Sequence, residues 1–220
     1  MLTLLPIVGL VGSNNLSTAI IILGIGVILI FAASPRYIQF ATLGGAGIGF
    51  IVIFLAAESY RLERLAIWRE PEKYEKGFQT IQGLYAIGSG GLFGRGIGNS
   101  IQKLGFVPEA QNDMIFSIIC EEMGLTGAII LILIFALLLW RLCVISMNCQ
   151  ELSGAMIAAG IMGHLAIQVI LNIAVVTNTI PNTGITLPFI SYGGTSIVFL
   201  LGEMGLALNV SRQKNNPPTR

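Results

Sequence analysis

From Leu16 to Ala33 the chain runs eighteen residues without one charged side chain. Comparable runs follow at Tyr37 to Ala57, Met123 to Trp140 and Leu152 to Val176, and a shorter one at Thr195 to Val210 holds Glu203. About 20 apolar residues cross a bilayer as a helix. Lipid offers no partner for backbone N–H and C=O groups, so a segment of this kind must satisfy them internally. Only 10% of the 220 residues are charged, against about 25% in soluble domains. The expected fold class is an all-α polytopic membrane protein. It has five full transmembrane helices plus a truncated N-terminal one, because Leu2 to Gly12 covers about half of a hydrocarbon core. That half-length opening implies that further helices precede it.

The positions of the charges set the orientation. Short connections carry Arg36 and Arg141, and the end carries Arg212, Lys214 and Arg220, whereas Ser13 to Asn15 and Thr177 to Gly194 carry no Lys or Arg. The positive-inside rule then places the tail, residues 211–220, in the cytoplasm and the connection Glu58 to Glu122 outside. That connection holds seven basic and nine acidic residues out of twelve and eleven in the chain. A net charge of +1 lacks the basic field of a nucleic-acid-binding surface. Cys120, Cys143 and Cys149 match neither a metal-ligand spacing nor an even disulfide framework and read as packing residues.

A 65-residue connection is either functional or disordered. Its composition favours order, since Phe78 to Ile87 mixes apolar residues with Gln at helical spacing and Met114 to Ile119 is apolar again. It reads as a long structured extracytoplasmic loop of short helices. Glycines 88, 90, 91, 94, 96 and 98 mark a place where the backbone turns tightly or approaches something closely.

Three features could carry chemistry. In VPEAQNDMIFSIICEE, Val107 to Glu122, Gln111 or Asn112 could cap a helix entered at Asp113. An acid there either complements the helix dipole and does no more, or is a carboxylate at an apolar interface whose raised pKa makes it a general base. The cations of the loop are the second feature. Arg61 to Lys76 are interleaved with acids and read as a solvated surface, while Arg95, between two glycines, and Lys103, remote from that acidic run, are either solvated surface as well or cations placed to meet a bound anion. The third is Thr177 to Ser196, whose prolines, glycines and hydroxyls suggest a re-entrant or cavity-lining loop. His164, Gln168 and Asn172 share one helical face, and they and Glu203 read first as interhelical glue.

The segments VPEAQNDMIFSIICEEMGLTG, GFQTIQGLYAIGSGGLFGRGIGNSIQKLGF and TLPFISYGGTS together resemble the SEDS family of bacterial cell-wall polymerases over the whole chain, residues 1–220 forming one SEDS-type membrane domain. NTGITLPFISYGGTS and LALNVSR are nearer to FtsW-type and sporulation-type members than to RodA-type ones. The position usually written HTD is QND here, with the acid kept at Asp113; Asn15 stands where many relatives have Asp.

The resemblance implies a fold of ten helices, with this chain matching the sixth to tenth and half of the fifth, and the active site in the loop 58–122. It implies a peptidoglycan glycosyltransferase that joins lipid II into glycan strands by single in-line displacement. Asp113 would be the base. Arg95, Lys103, Glu109, Gln111, Ser191 and Tyr192 would contact substrate, and a divalent cation, Mg2+ or Mn2+, could assist the leaving diphosphate. The implied partners are a class B penicillin-binding protein and other division or elongation proteins; a lipid II flippase and a non-catalytic scaffold are the competing readings.

Overall fold

The computed structural model describes residues 4–33, 44, 45, 47, 49 and 59–213. The expected span Tyr37 to Ala57 lies almost wholly outside the described residues, as do Arg36, Glu58 and Lys214 to Arg220. The described residues form seven α-helices and no strand: α1 (Leu4–Asn14), α2 (Leu16–Ala33), α3 (Ser59–Arg69), α4 (Phe78–Gly90), α5 (Ile115–Asn148), α6 (Leu152–Val176) and α7 (Gly194–Gln213). Two 3-10 turns, Pro71–Lys73 and Glu75–Gly77, link α3 to α4. Four helices, α2, α5, α6 and α7, are long and apolar enough to cross a membrane.

Two compact units are distinguishable. The first comprises residues 1–57, 137–167 and 195–220. In it α1 packs on α2 through Val8, Ala19 and Leu23. Asn15 separates the two helices and caps the second, its Oδ1 accepting from the Thr18 amide at 3.2 Å, a role Asn fills as well as Asp. Glycines let helices approach in lipid, where no hydrophobic drive brings them together. Ile167 lies over Gly24, Ile28 over Gly163, and Val210 over Gly154. His164 Nδ1 lies 2.9 Å from a carboxylate oxygen of Glu203, so this pair joins α6 to α7 as the expected glue.

The second unit comprises residues 58–136 and 168–194. Its core is built by Val107, Met114, Phe116, Ile118, Phe135, Val176 and Leu187, among others. The span expected at Met123 to Trp140 is longer, because α5 begins at Ile115 and ends at Asn148. It is also broken. Gly124 has φ 66° and ψ −165°, a region open in practice to glycine alone. Residues 125–148 still measure about 36 Å, enough for the hydrocarbon core.

The break has a partner in the glycine cluster. A helix interrupted at Gly124 leaves carbonyls before it and amides after it without helical partners. Segment 91–96 supplies them. Arg95 and Gly96 amides donate to the Glu121 and Glu122 carbonyls at 3.0 and 2.9 Å, and Leu125 and Thr126 amides donate to the Gly91 and Leu92 carbonyls at 2.9 and 3.1 Å. The close approach that the glycines imply is therefore to the chain's own α5. Gly94, at φ 77°, has no room for a Cβ against the Glu122 carbonyl.

Candidate active site

Asp113 does not enter a helix. Residues 108–114 form turns, and α5 begins two residues later, so neither Gln111 nor Asn112 is its N-cap. The turn is fixed by its surroundings. Glu109 takes a left-handed φ of 54°, its carbonyl accepts the Asn112 amide at 2.9 Å, and its carboxylate accepts from the Asn112 side chain. Fully buried Asn172 donates to the Asp113 carbonyl at 2.8 Å and to the Ile185 carbonyl at 2.7 Å, tying α6 to two loops at once.

Ser191 ties a third segment of chain to the same turn. Its hydroxyl donates to the Asn112 carbonyl at 2.6 Å and accepts from the Leu187 amide at 2.7 Å, while the Tyr192 amide donates to the Gln111 carbonyl at 2.8 Å. Glu109, Asn178 and Phe189 are the non-glycine residues with positive φ among the described residues, and all lie in the loops around Asp113. Strain of this kind persists where surrounding structure fixes the backbone, as at binding sites. Replacing Asn172 by Leu strands two buried carbonyls and should destabilise the protein by about 2–4 kcal/mol, read as a lower melting temperature in detergent; an unchanged melt would refute this role.

Asp113 lines a cavity of about 470 Å3, within the range of small-ligand sites. Arg64 and Trp68 come from α3, Glu75 and Lys76 from the second 3-10 turn, Gln79 and Thr80 from α4, and Asn178 and Asn182 from the loop after α6. The Trp68 indole donates to the Asn178 carbonyl at 2.9 Å and Arg64 to the Asn182 carbonyl at 3.2 Å, which docks α3 onto that loop. Asp113 is buried, with 7% of the residue exposed. Desolvation holds its pKa above the ordinary value, and nearby Glu109 adds to the rise; backbone amides of Asp113 and Met114 and the Gln79 side chain oppose it.

The expected anion contacts lie elsewhere. Arg95 faces fully buried Glu121 at 3.6 Å, and Lys103 pairs with Glu122 at 2.7 Å while donating to the Gly98 carbonyl at 2.6 Å. Glu121 also accepts the Ser100 hydroxyl at 2.5 Å and the Ile101 and Gln102 amides at 3.2 Å. These cations thus hold the loop 95–103 to α5, and neither lines the cavity. The cavity's cations are Arg64 and Lys76, from the stretch that reads in sequence as solvated surface; Lys76 does pair with Glu63 at 3.1 Å. Glu109, Gln111 and Tyr192 are exposed at the turn's outer side, and no three His, Cys, Asp or Glu side chains converge as a metal site among the described residues.

A multi-pass helical membrane protein with a buried carboxylate in a cation-lined cavity outside its apolar helices is the class these features define. The chain belongs to the cell cycle protein family of FtsW, RodA and SpoVE, whose model matches residues 1–216. It is 45% identical over 201 residues to stage V sporulation protein E of Bacillus subtilis, covering 90% of this chain and 55% of that protein. It is 38% identical over 214 residues to a probable peptidoglycan glycosyltransferase FtsW of Trichlorobacter lovleyi, covering 96% and 56%. The chain therefore spans about half the length of these curated relatives. Among solved structures, a peptidoglycan synthase complex that coordinates polymerization and crosslinking matches with TM-score 0.75 and 27% identity, over 98% of this chain and 61% of that one. The rod shape determining protein RodA of Thermus thermophilus matches with TM-score 0.63 and 29% identity, over 98% and 56%.

Proposed function

We propose that this chain carries the catalytic centre of a peptidoglycan glycosyltransferase that polymerises lipid II at the outer face of the bacterial cytoplasmic membrane, for cell division or cell shape. The observation that carries the reading is Asp113, a buried carboxylate opening on a cavity that also holds Arg64 and Lys76. The acceptor sugar's 4-hydroxyl attacks the donor's anomeric carbon, its proton passes to Asp113, and the undecaprenyl diphosphate leaves with the bonding pair. Inversion at that carbon needs one base and one displacement. Arg64 and Lys76 face the growing charge of the leaving group. A divalent cation, Mg2+ or Mn2+, would screen the charge of the diphosphate beside Arg64 and Lys76 if the substrate brought it, since no three His, Cys, Asp or Glu side chains converge to hold one among the described residues.

Arg95 and Lys103 support catalysis by holding loop 95–103, and Ser191 by fixing the turn that bears Asp113; Gln111 serves through its carbonyl, and Tyr192 through its amide. Glu109 adds its charge to the rise in pKa that burial gives the base. The loop 58–122 is extracytoplasmic in this reading, and the tail 211–220 cytoplasmic. A cysteine placed at Lys103 and one placed at Lys214 should then react with a membrane-impermeant thiol reagent from opposite sides; same-side labelling would overturn the topology. A class B penicillin-binding protein that crosslinks the strand is the partner this role requires, with other division or elongation proteins around it. Supplied with labelled lipid II and that partner, the full-length protein should form glycan strands. A flippase or scaffold would form none, or form them independently of Asp113.

A further inference from the structure

Three side chains meet in series beside the proposed base. The Gly184 backbone amide donates to Asn182 Oδ1 at 2.9 Å, Asn182 Nδ2 donates to Gln79 Oε1 at 3.3 Å, and Gln79 Nε2 donates to Asp113 Oδ1 at 3.3 Å. Gln79 Nε2 also reaches the Pro108 carbonyl at 3.4 Å. An amide side chain can present either its oxygen or its nitrogen, and its orientation is set by the network around it. Here both ends of the network are backbone groups that cannot reverse. A backbone N–H only donates, so the Asn182 oxygen faces Gly184 and its nitrogen faces Gln79. A carbonyl only accepts, so the Gln79 nitrogen faces Pro108 and, with it, Asp113.

We propose that Gln79, oriented by Asn182, is a positioning residue that keeps the Asp113 carboxylate facing a hydrogen-bond donor, and thereby holds it as an acceptor ready to take a proton rather than as an acid ready to give one. This rests on the assignment of Asp113 as the base. The relay draws its parts from α4, the turn before α5 and the loop after α6, so it also fixes Asp113 against all three. Other charged groups share its surroundings: Arg64, Glu75 and Lys76 line the same cavity, and Glu109 on the turn acts on the carboxylate through its charge. None of them needs the amide polarity, which isolates the relay for testing.

Gln79→Met keeps the side chain's length and removes the donor. Asn182→Asp still accepts from Gly184 but can no longer donate, so its carboxylate competes with Asp113 and the Pro108 carbonyl for the Gln79 amide nitrogen and weakens the bond to Asp113. Either variant should move the acid limb of the pH profile for polymerisation of labelled lipid II to higher pH. Activity at a pH on that limb should fall about three- to tenfold while the high-pH plateau stays within about twofold. In the Gln79→Met background, Asn182→Asp should have a smaller effect than alone, because no amide nitrogen remains to be drawn away from Asp113.

Asp113 is the single aspartate among the 220 residues, as eleven acidic residues include ten glutamates. In the full-length protein made with 13C-carboxyl aspartate, the infrared difference against Asp113→Asn isolates this carboxyl, and Gln79→Met should raise its midpoint. A lowered plateau with an unmoved limb and an unmoved midpoint overturns the proposal, as does full additivity of the two substitutions. If the parent protein makes no glycan but the infrared midpoint still moves, the relay stands and the glycosyltransferase reading falls.

Discussion

Asp113→Asn should reduce glycan-strand formation from lipid II by about 10²- to 10⁴-fold, the usual contribution of a positioned general base. The amide is nearly isosteric and cannot take the acceptor's proton, while the donors from Gln79 and from the backbone amides of Asp113 and Met114 are left facing a neutral group. Stability should move the other way. Burial holds the native carboxyl's pKa above its ordinary value, so the folded protein binds this proton more tightly than the unfolded chain does. The linkage sign follows: stability present at acid pH is lost as pH rises from the unfolded value through the raised folded one. At neutral pH Asp113→Asn removes that cost and should melt at or above the parental temperature. The parent's activity should rise with pH along a limb displaced upward from that of a free aspartate. A variant that keeps parental turnover would refute the base assignment, and one that is inactive but melts far lower would point to misfolding instead.

Gly124→Ala is expected to be the most damaging substitution outside the cavity. At φ 66° and ψ −165° any Cβ is strained, and here it would also meet the backbone of Leu92 and Gly94. The backbone strain alone costs about 1–3 kcal/mol, and overpacking against main chain adds about as much again. The pairing of segment 91–96 with the broken turn of α5 cannot survive it, since four backbone hydrogen bonds depend on that break. A drop of about 3–5 kcal/mol, seen as a large fall in melting temperature with loss of polymerisation, is the expected result. Parental thermal stability would show that the helix runs straight through this point.

The two outcomes separate two kinds of residue, one in the turn before α5 and one at the break within it. Asp113 is a group whose burial weakens the fold at neutral pH and, under the proposed function, readies it as the base. Gly124, Arg95, Lys103 and Glu121 belong to a scaffold that brings the loop 95–103 against α5. Ion pairs that include a fully buried carboxylate are costly to break from one side, because the remaining charge stays buried. This is why a cation placed between glycines, which in sequence resembles a phosphate ligand, is found satisfying an acid of its own chain.

Hydrophobic runs and turn residues determined α2 and α6 to the residue and α1 and α7 to within a few positions, because helix in lipid is dictated by local composition. The sequence also singles out Asp113 as a candidate, an acid standing where an apolar run begins. It could not determine the break in α5, since Gly124 has the same local signal as the glycines that α6 and α7 tolerate, and only its pairing with segment 91–96 sets its φ. Nor could it determine the company Asp113 keeps. Gln79, Arg64, Lys76 and Asn182 lie between 34 and 69 positions away, and no periodicity within a segment reports a hydrogen bond of that separation. Local pattern decides which backbone groups need a helix; which side chains then share a cavity is decided by packing alone.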